Sequence, residues 1–263
     1  MKKSILKLTL GLSLIAGLSG IGANANDKVI RIGATPIPHV EILEQVKPIL
    51  AKEGYTLEIK EFTDYVTPNL AVDDGDLDAN FFQHVPYLKE FNKNKGTDLI
   101  KTVNVHLEPM GVYSAKIKNL KELKDGDSIA VPNDPTNENR ALDVLENAGL
   151  LKFAKTDLKT KIDITENPRN FVIEEIDAPQ LPRVLGDVAI AVINTNYALS
   201  ANLNPTKDAL AIESINSPYA NIVVVKRGNE NKAGIKALNK AINSEKIREF
   251  IAKKYKGAII AAF

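Results

Sequence analysis

Two short stretches hold most of the side chains that could do chemistry. The first, Asp78-Ala-Asn-Phe-Phe-Gln-His-Val-Pro-Tyr87, sets two phenyl rings, an imidazole, an amide and a phenol just after an acidic turn. Rings with polar tips suit a ligand that has one apolar and one polar end. The same aromatics could equally fill the core beneath a half-buried strand. The second stretch, Val131-Pro-Asn-Asp-Pro-Thr-Asn-Glu-Asn-Arg-Ala-Leu142, follows a short apolar run, Ser128 to Val131, that reads as a strand. Its Asn-Asp-Pro-Thr segment turns the chain and caps a helix that carries Leu142, Leu145 and Ala148 on one side and stops at Gly149. Asn137 and Arg140 therefore sit in the first turn. Unpaired N–H groups and the positive dipole end favour an anion there, and Arg140 could grip a carboxylate with two parallel hydrogen bonds. Taken alone, an arginine on a first turn is equally a solvated surface residue.

The elements that must position these groups alternate along the chain. Val29 and Ile32 mark a first strand, Pro36-Ile-Pro38 breaks it, and Leu43, Val46 and Leu50 give one helical face that ends near Lys52, with Pro48 inside it. Further strands are read at Leu57 to Phe62, Ala79 to Phe82, Leu99 to Val105, Ile129 to Val131, Val172 to Ile176, Val188 to Ile193 and Asn221 to Val225. Helices are read at Asn69 to Asp73, Val85 to Lys93, Ala233 to Ile242 and Glu245 to Tyr255. Such β-α repetition predicts α/β lobes with largely parallel sheets and ligands at the carboxyl ends of the strands. A Lys-rich passage through Lys124, after which the alternation restarts, divides one lobe from the next.

The chain has 263 residues, 44% of them apolar, enough to bury one large or two smaller cores. Lys2 and Lys3 precede an apolar run to Ile21 and then Gly22-Ala-Asn-Ala25, the layout of a cleavable signal peptide over residues 1–25. Lys7 and several Gly and Ser interrupt that run, which argues against a membrane-spanning anchor. Without that segment, 31 basic residues face 33 acidic ones, so no basic field remains for nucleic acid. There is no cysteine, which excludes disulfides and thiolate chemistry and provides no lipobox cysteine. The sequence thus predicts an exported protein free in the periplasm.

An enzyme would need a nucleophile, a base and an orienting group. The chain has no Gly-x-Ser-x-Gly segment, and His39, His84 and His106 are its only imidazoles. Those three lie too far apart in sequence for a His-x-x-x-His metal motif. The acidic run Val72 to Asp78 fails as a calcium loop, because Gly75 at the sixth position would make Leu70 the first ligand. No enzymatic activity, metal or cofactor is expected.

Seven segments occur in order: Asp64-Tyr-Val-Thr-Pro-Asn-Leu70, Asp78 through Leu88, His106-Leu-Glu-Pro-Met-Gly-Val-Tyr-Ser114, Val131 through Asn137, Ala178-Pro-Gln-Leu-Pro-Arg183, Ala191-Val-Ile-Asn-Thr-Asn-Tyr-Ala198 and Ser217-Pro-Tyr-Ala-Asn221. In these the chain resembles the methionine-binding, NlpA-type lipoprotein family of bacterial ABC importers, over nearly all of its length past the signal segment. The resemblance implies a two-lobed periplasmic binding protein of type II-like α/β fold, with residues 26–112 plus 215–263 as lobe 1 and 113–214 as lobe 2. It implies a clamp hinged near Met110 to Ser114 and Ser214 to Asn221. The ligand would be methionine, a related amino acid or a methionine-containing dipeptide, and the partner a membrane permease with a cytoplasmic ATPase. The protein would act as a monomer. Carried over by motif, Arg140 would clamp the ligand carboxylate with Asn137 beside it, and Asn194 and Asn221 would hold the amino and carboxylate groups. Tyr65, Phe82, His84 and Tyr87 would shape the side-chain pocket, with Phe81 and His106 as further candidates. The resemblance departs at the N-terminus, where the family carries a lipobox cysteine and this chain reads Ser19-Gly-Ile-Gly-Ala-Asn-Ala25. An envelope adhesin on the same scaffold is the competing reading, since fold does not fix function.

Overall fold

A computed structural model describes residues 28–263, so the expected signal segment lies outside the described residues. The first half of the chain runs β1 (Val29–Ala34), α1 (Glu41–Lys52), β2 (Thr56–Glu61), α2 (Thr67–Asp73), β3 (Ala79–His84), α3 (Val85–Lys95) and β4 (Leu99–Leu107). There follow β5 (Gly111–Tyr113), β6 (Ser128–Pro132), α4 (Pro135–Asn147), the small hairpin β7 (Lys152–Phe153) and β8 (Ile164–Glu166), and β9 (Val172–Ile176). The remainder is β10 (Ile190–Ile193), α5 (Thr195–Ser200), β11 (Ala211–Ile212), β12 (Asn221–Lys226), α6 (Ala233–Ile242), α7 (Glu245–Tyr255) and β13 (Ile260–Ala261).

These strands build two main sheets, one ordered β13-β4-β12-β3-β1-β2 and the other β11-β5-β10-β6-β9. Each is sandwiched between helical layers because its strands alternate two apolar faces. On β12, Val223 and Val225 point into the core covered by α1, α6 and α7, while Ile222 and Val224 point into the core with Val72 and Leu88 from α2 and α3. On β6, Ile129 and Val131 meet Ala141, Leu142 and Leu145 of α4, whereas Ala130 faces Leu181, Leu185 and Tyr197. The hydrophobic alternation alone thus supplies four packed layers on two sheets.

The sheets are mixed. β1 pairs in parallel with β2 and β3, but β12 lies antiparallel between β3 and β4, and β13 is antiparallel to β4. In the second sheet β10, β6 and β9 run parallel and β5 is antiparallel to both of its neighbours. β5 and β12 are the strands reached by passing from one sheet to the other, where no β-α-β crossover dictates a parallel return, and β13, which follows β12 through α6 and α7, keeps the β12 direction. The chain leaves the first sheet after Leu107, enters the second at Gly111, and returns between Ile212 and Asn221. The two passages are laced together, since the Glu213 N–H donates to the Met110 carbonyl at 2.8 Å and the Met110 N–H to Glu213 Oε2 at 3.0 Å.

That topology presents strand ends to the gap between the sheets. Asn221 at the start of β12 registers with His84 at the end of β3 on one side and with His106 of β4 on the other. From the second sheet, β6 leads into the first turn of α4, and β10 into Asn194 and α5.

Candidate functional site

Between the sheets lies a cavity lined from both, with about 320 Å³ of empty space counting what is open at its mouth. The first sheet and its loops supply Tyr65, Phe82, Gln83, His84, Tyr87, Glu108 and Asn221, and the second supplies Asn137, Arg140, Asn194, Thr195 and Asn196. Eight residues singled out from the sequence line it together: Tyr65, Phe82, His84, Tyr87, Asn137, Arg140, Asn194 and Asn221. His106 does not line it but stands behind Glu108, and Phe81 is buried in the core, edge-on to His39.

The apolar wall is a set of rings. Tyr65 stacks on Phe82 at 5.7 Å between centroids and meets Tyr87 edge-on at 5.9 Å, while Phe82 and Tyr87 are 6.0 Å apart at a near-perpendicular tilt. The Tyr87 hydroxyl donates to the Tyr65 carbonyl at 2.9 Å, so the wall is pinned as well as packed. The Tyr65 hydroxyl donates across the gap to Asn196 Oδ1 at 2.6 Å, and the Tyr197 hydroxyl to the Thr63 carbonyl at 3.1 Å. Burial raises the Tyr65 phenol well above its usual range, so it stays a neutral donor.

The polar wall begins at the α4 cap. Asp134 is the N-cap residue and accepts from the Asn137 N–H, as the Asn-Asp-Pro-Thr segment predicts. The Asn137 side chain is fully engaged by the protein. Its Nδ2 donates to both Asp134 oxygens at 3.0 and 2.8 Å, and its Oδ1 accepts from Asn194 Nδ2 at 2.9 Å and faces His84 Nε2 at 3.2 Å. Asn137 therefore orients His84 and Asn194 and has no donor or acceptor to spare. Asn194 Oδ1, by contrast, is buried in the cavity wall with no hydrogen-bond partner among the described residues.

Arg140 is 3% exposed and already gripped. Its Nε donates to Glu213 at 3.0 and 3.1 Å, its Nη2 to Glu213 Oε2 at 2.6 Å and to the Glu108 carbonyl at 2.7 Å, and its Cζ lies 4.5 Å from the Tyr219 ring centre. The two-pronged edge expected to hold a ligand carboxylate is thus taken by Glu213, because the return passage brings that carboxylate alongside. Only Nη1 makes no hydrogen bond among the described residues.

Glu108, Gln83, Thr195 and Asn196 were not singled out from the sequence. Glu108 had a visible signal, a lone carboxylate in the apolar His-Leu-Glu-Pro-Met-Gly segment between two strands. Its Oε1 lies 2.6 Å from His106 Nε2 and 3.2 Å from His39 Nε2. His39 Nε2 also faces Asn221 Oδ1 at 3.0 Å, and His39 Nδ1 faces the Thr35 hydroxyl at 2.7 Å. Burial lowers all three imidazoles, His39 to about 4, His84 to about 3 and His106 to about 3, so they are neutral at pH 7. Burial raises Glu108, while His39 and Arg140 oppose that rise.

His39, His106 and Glu108 are the one group among the described residues whose donor atoms come close enough for a metal. Sequence spacing could not show this, because His39 comes from the turn after β1 and the other two from the end of β4, which the strand order of the first sheet brings together. The 2.6 Å separation is a hydrogen-bond contact. Two donors 2.0–2.1 Å from one tetrahedral ion would stand about 3.3 Å apart.

This geometry agrees with what similar proteins are. The family model described as NlpA lipoprotein matches residues 30–263. The methionine-binding lipoprotein MetQ of Bacillus subtilis is 44% identical over 252 residues, covering 92% of this chain and 91% of that protein. A nutrient binding protein from Burkholderia cenocepacia, solved bound to methionine, superposes with a TM-score of 0.87 at 48% identity, covering 89% of this chain and 100% of that one. An ABC transporter periplasmic substrate-binding protein from Coxiella burnetii superposes with a TM-score of 0.86 at 43% identity, covering 89% and 100%. One expectation is corrected by these likenesses. The sequence reading, periplasmic and without a lipobox cysteine, placed the chain free in solution, whereas the family and its Bacillus member are lipoproteins by name, which implies a lipid anchor. With the family model spanning both sheets and the cavity between them, the chain belongs to the NlpA lipoprotein family.

Proposed function

We propose that the protein captures methionine, or a closely related amino acid or methionine-containing dipeptide, and hands it to the membrane permease of an ABC importer. The observation that carries this reading is the division of one interlobe cavity into a ring-lined wall and a polar wall. Tyr65, Phe82 and Tyr87 would hold the side chain, with a thioether favoured because sulfur is attracted to ring edges at about 5 Å. Arg140 Nη1 and Asn221 would hold the carboxylate, and Asn194 would accept from the ammonium. Asn137 would act indirectly, by fixing Asn194 and His84.

Closure would follow from the ligand touching both walls at once. The passages at 108–110 and 213–220 would serve as hinges, and Tyr65 with Asn196 and Tyr197 with Thr63 would latch the closed form. A thermal-shift panel of free amino acids on ligand-stripped protein tests the reading. Methionine is expected to raise the melting temperature more than any other amino acid, because it binds the native state alone. No shift with any amino acid or methionine-containing dipeptide would contradict it.

Asn221→Ala is expected to weaken methionine binding at least tenfold, or about 1.4 kcal/mol, in a calorimetric titration. Unchanged affinity would remove Asn221 from the ligand's contacts.

A further inference from the structure

Charges in the cavity do not balance within the protein. Arg140 is the cavity's cation, but Glu213 neutralises it with a two-pronged ion pair at 2.6 to 3.1 Å. Glu108 forms no ion pair with a lysine or arginine among the described residues; its carboxyl group stands beside His106, His39 and the Asn196 backbone, and Arg140 acts on it without an ion-pair contact. His106 points Nε2 at Glu108 and leaves Nδ1 buried without a partner. That is sensible if Nε2 carries the proton and donates it, since a bare ring nitrogen is the cheaper group to strand than a buried N–H. His39 also turns Nε2 toward Glu108 and Asn221 Oδ1, both acceptors, with its Nδ1 free to accept from Thr35. His106 Nε2 donates to Glu108 Oε1 at 2.6 Å, and His39 Nε2, hydrogen-bonded to Asn221 Oδ1, stands 3.2 Å from the same oxygen, so the polar edges of two rings face Glu108 and favour its charged form. Burial holds both imidazoles neutral, so they solvate the charge without cancelling it. The cavity therefore holds a carboxyl group, 4% exposed, with no cation of its own, and in the same wall a buried acceptor without a partner, Asn194 Oδ1.

Resting on the reading of the cavity as an amino-acid site, we infer that Glu108, held by His106 with His39 alongside, is the receptor for the ligand's ammonium group, and that this contact more than Arg140 restricts the ligand to free primary amines. A buried anion without a counter-ion is costly, and the ligand that relieves the cost is selected for doing so. An anionic ligand without an amine meets Glu108 as a like charge, whereas an amine whose carboxyl is masked loses only what Arg140 Nη1 and Asn221 offer. Selection should therefore be steeper at the amino end.

Competition titrations on ligand-stripped protein test this with L-methionine, its des-amino counterpart 4-(methylthio)butanoate and methionine amide. The wild-type protein is expected to prefer methionine over the des-amino acid by at least a hundredfold and to lose less with the amide. Glu108→Gln is expected to weaken methionine at least thirtyfold while binding the des-amino acid at least as tightly as the wild type does, so that the preference collapses. A variant that keeps the wild-type preference, or weakens both ligands equally, overturns the assignment. If Glu108→Gln does not fold, the wild-type ranking decides, and a des-amino acid bound better than the amide overturns it. A wild-type protein that binds methionine but ranks the analogues wrongly fails this inference alone. One that binds no amino acid fails the reading beneath it.

Discussion

Arg140→Ala is expected to abolish methionine binding and also to destabilise the folded protein by about 3–5 kcal/mol. A ligand-facing arginine would be removable without harm to the fold, but this one is not only ligand-facing. Its guanidinium is the ion-pair partner of Glu213, a side chain 10% exposed, and it ties Glu213 to the Glu108 carbonyl. Removing it strands a buried carboxylate at the junction of the two passages between the sheets. Replacing both members of the pair with apolar residues of similar size, as in Arg140→Met with Glu213→Leu, is expected to recover most of the stability and not the wild-type affinity for methionine. Denaturant melts and calorimetry on the single and double variants check this. An Arg140→Ala protein as stable as the wild type would show that the ion pair contributes little. An apolar double variant that bound methionine as tightly as the wild type would show that the guanidinium is no part of the site.

Acid should weaken the fold steeply. His39, His84 and His106 titrate near 4, 3 and 3 when folded, against an ordinary value near 6.5. Below about pH 6 the unfolded chain takes up protons on all three while the folded one does not. Stability is therefore full above the unfolded value and falls with pH by up to about 4 kcal/mol per unit. Glu108 and Asp134, raised by burial, and Glu138, pushed up to about 7 by burial and its neighbour Glu175, protonate first in the folded state and act in the opposite sense. Below about pH 6 the imidazoles dominate, because His39 falls from 6.5 to about 4 and both His84 and His106 to about 3, while Glu138 rises from 4.5 to about 7. Melting temperatures between pH 6 and 4.5 are expected to fall steadily, and substituting His84 by Gln should flatten the curve. A melting temperature that is flat across that range would contradict the neutral assignment of the three rings.

Local sequence revealed those parts of the fold and site that rest on local causes. Period-two runs gave β1, β3, β6, β9 and β12, and the Asp134 cap gave the start of α4, because alternation and capping act within a few residues. Strands of two or three residues such as β5, β11 and β13 left no periodic trace, and β12 lies antiparallel because of a route through the other sheet that no local pattern records. The site divides in the same way. Phe82, His84 and Tyr87 reach one cavity wall from a single strand-to-helix joint, so their clustering in sequence is their clustering in space. Glu213 meets Arg140 from 73 residues away, and His39 meets Asn221 from 182 away. Neither pairing has a sequence signature, which is why Arg140 read as a free guanidinium and Asn137 as a ligand contact, when each is held by protein neighbours first.

Equilibrium dialysis of radiolabelled L-methionine against refolded, ligand-free protein at pH 7.5 tests the central claim most directly. One molecule retained per chain, with a dissociation constant in the micromolar range or tighter, displaced by unlabelled methionine and not by 4-(methylthio)butanoate at equal concentration, is the predicted result. Retention no greater than in a protein-free chamber at millimolar methionine would contradict the account.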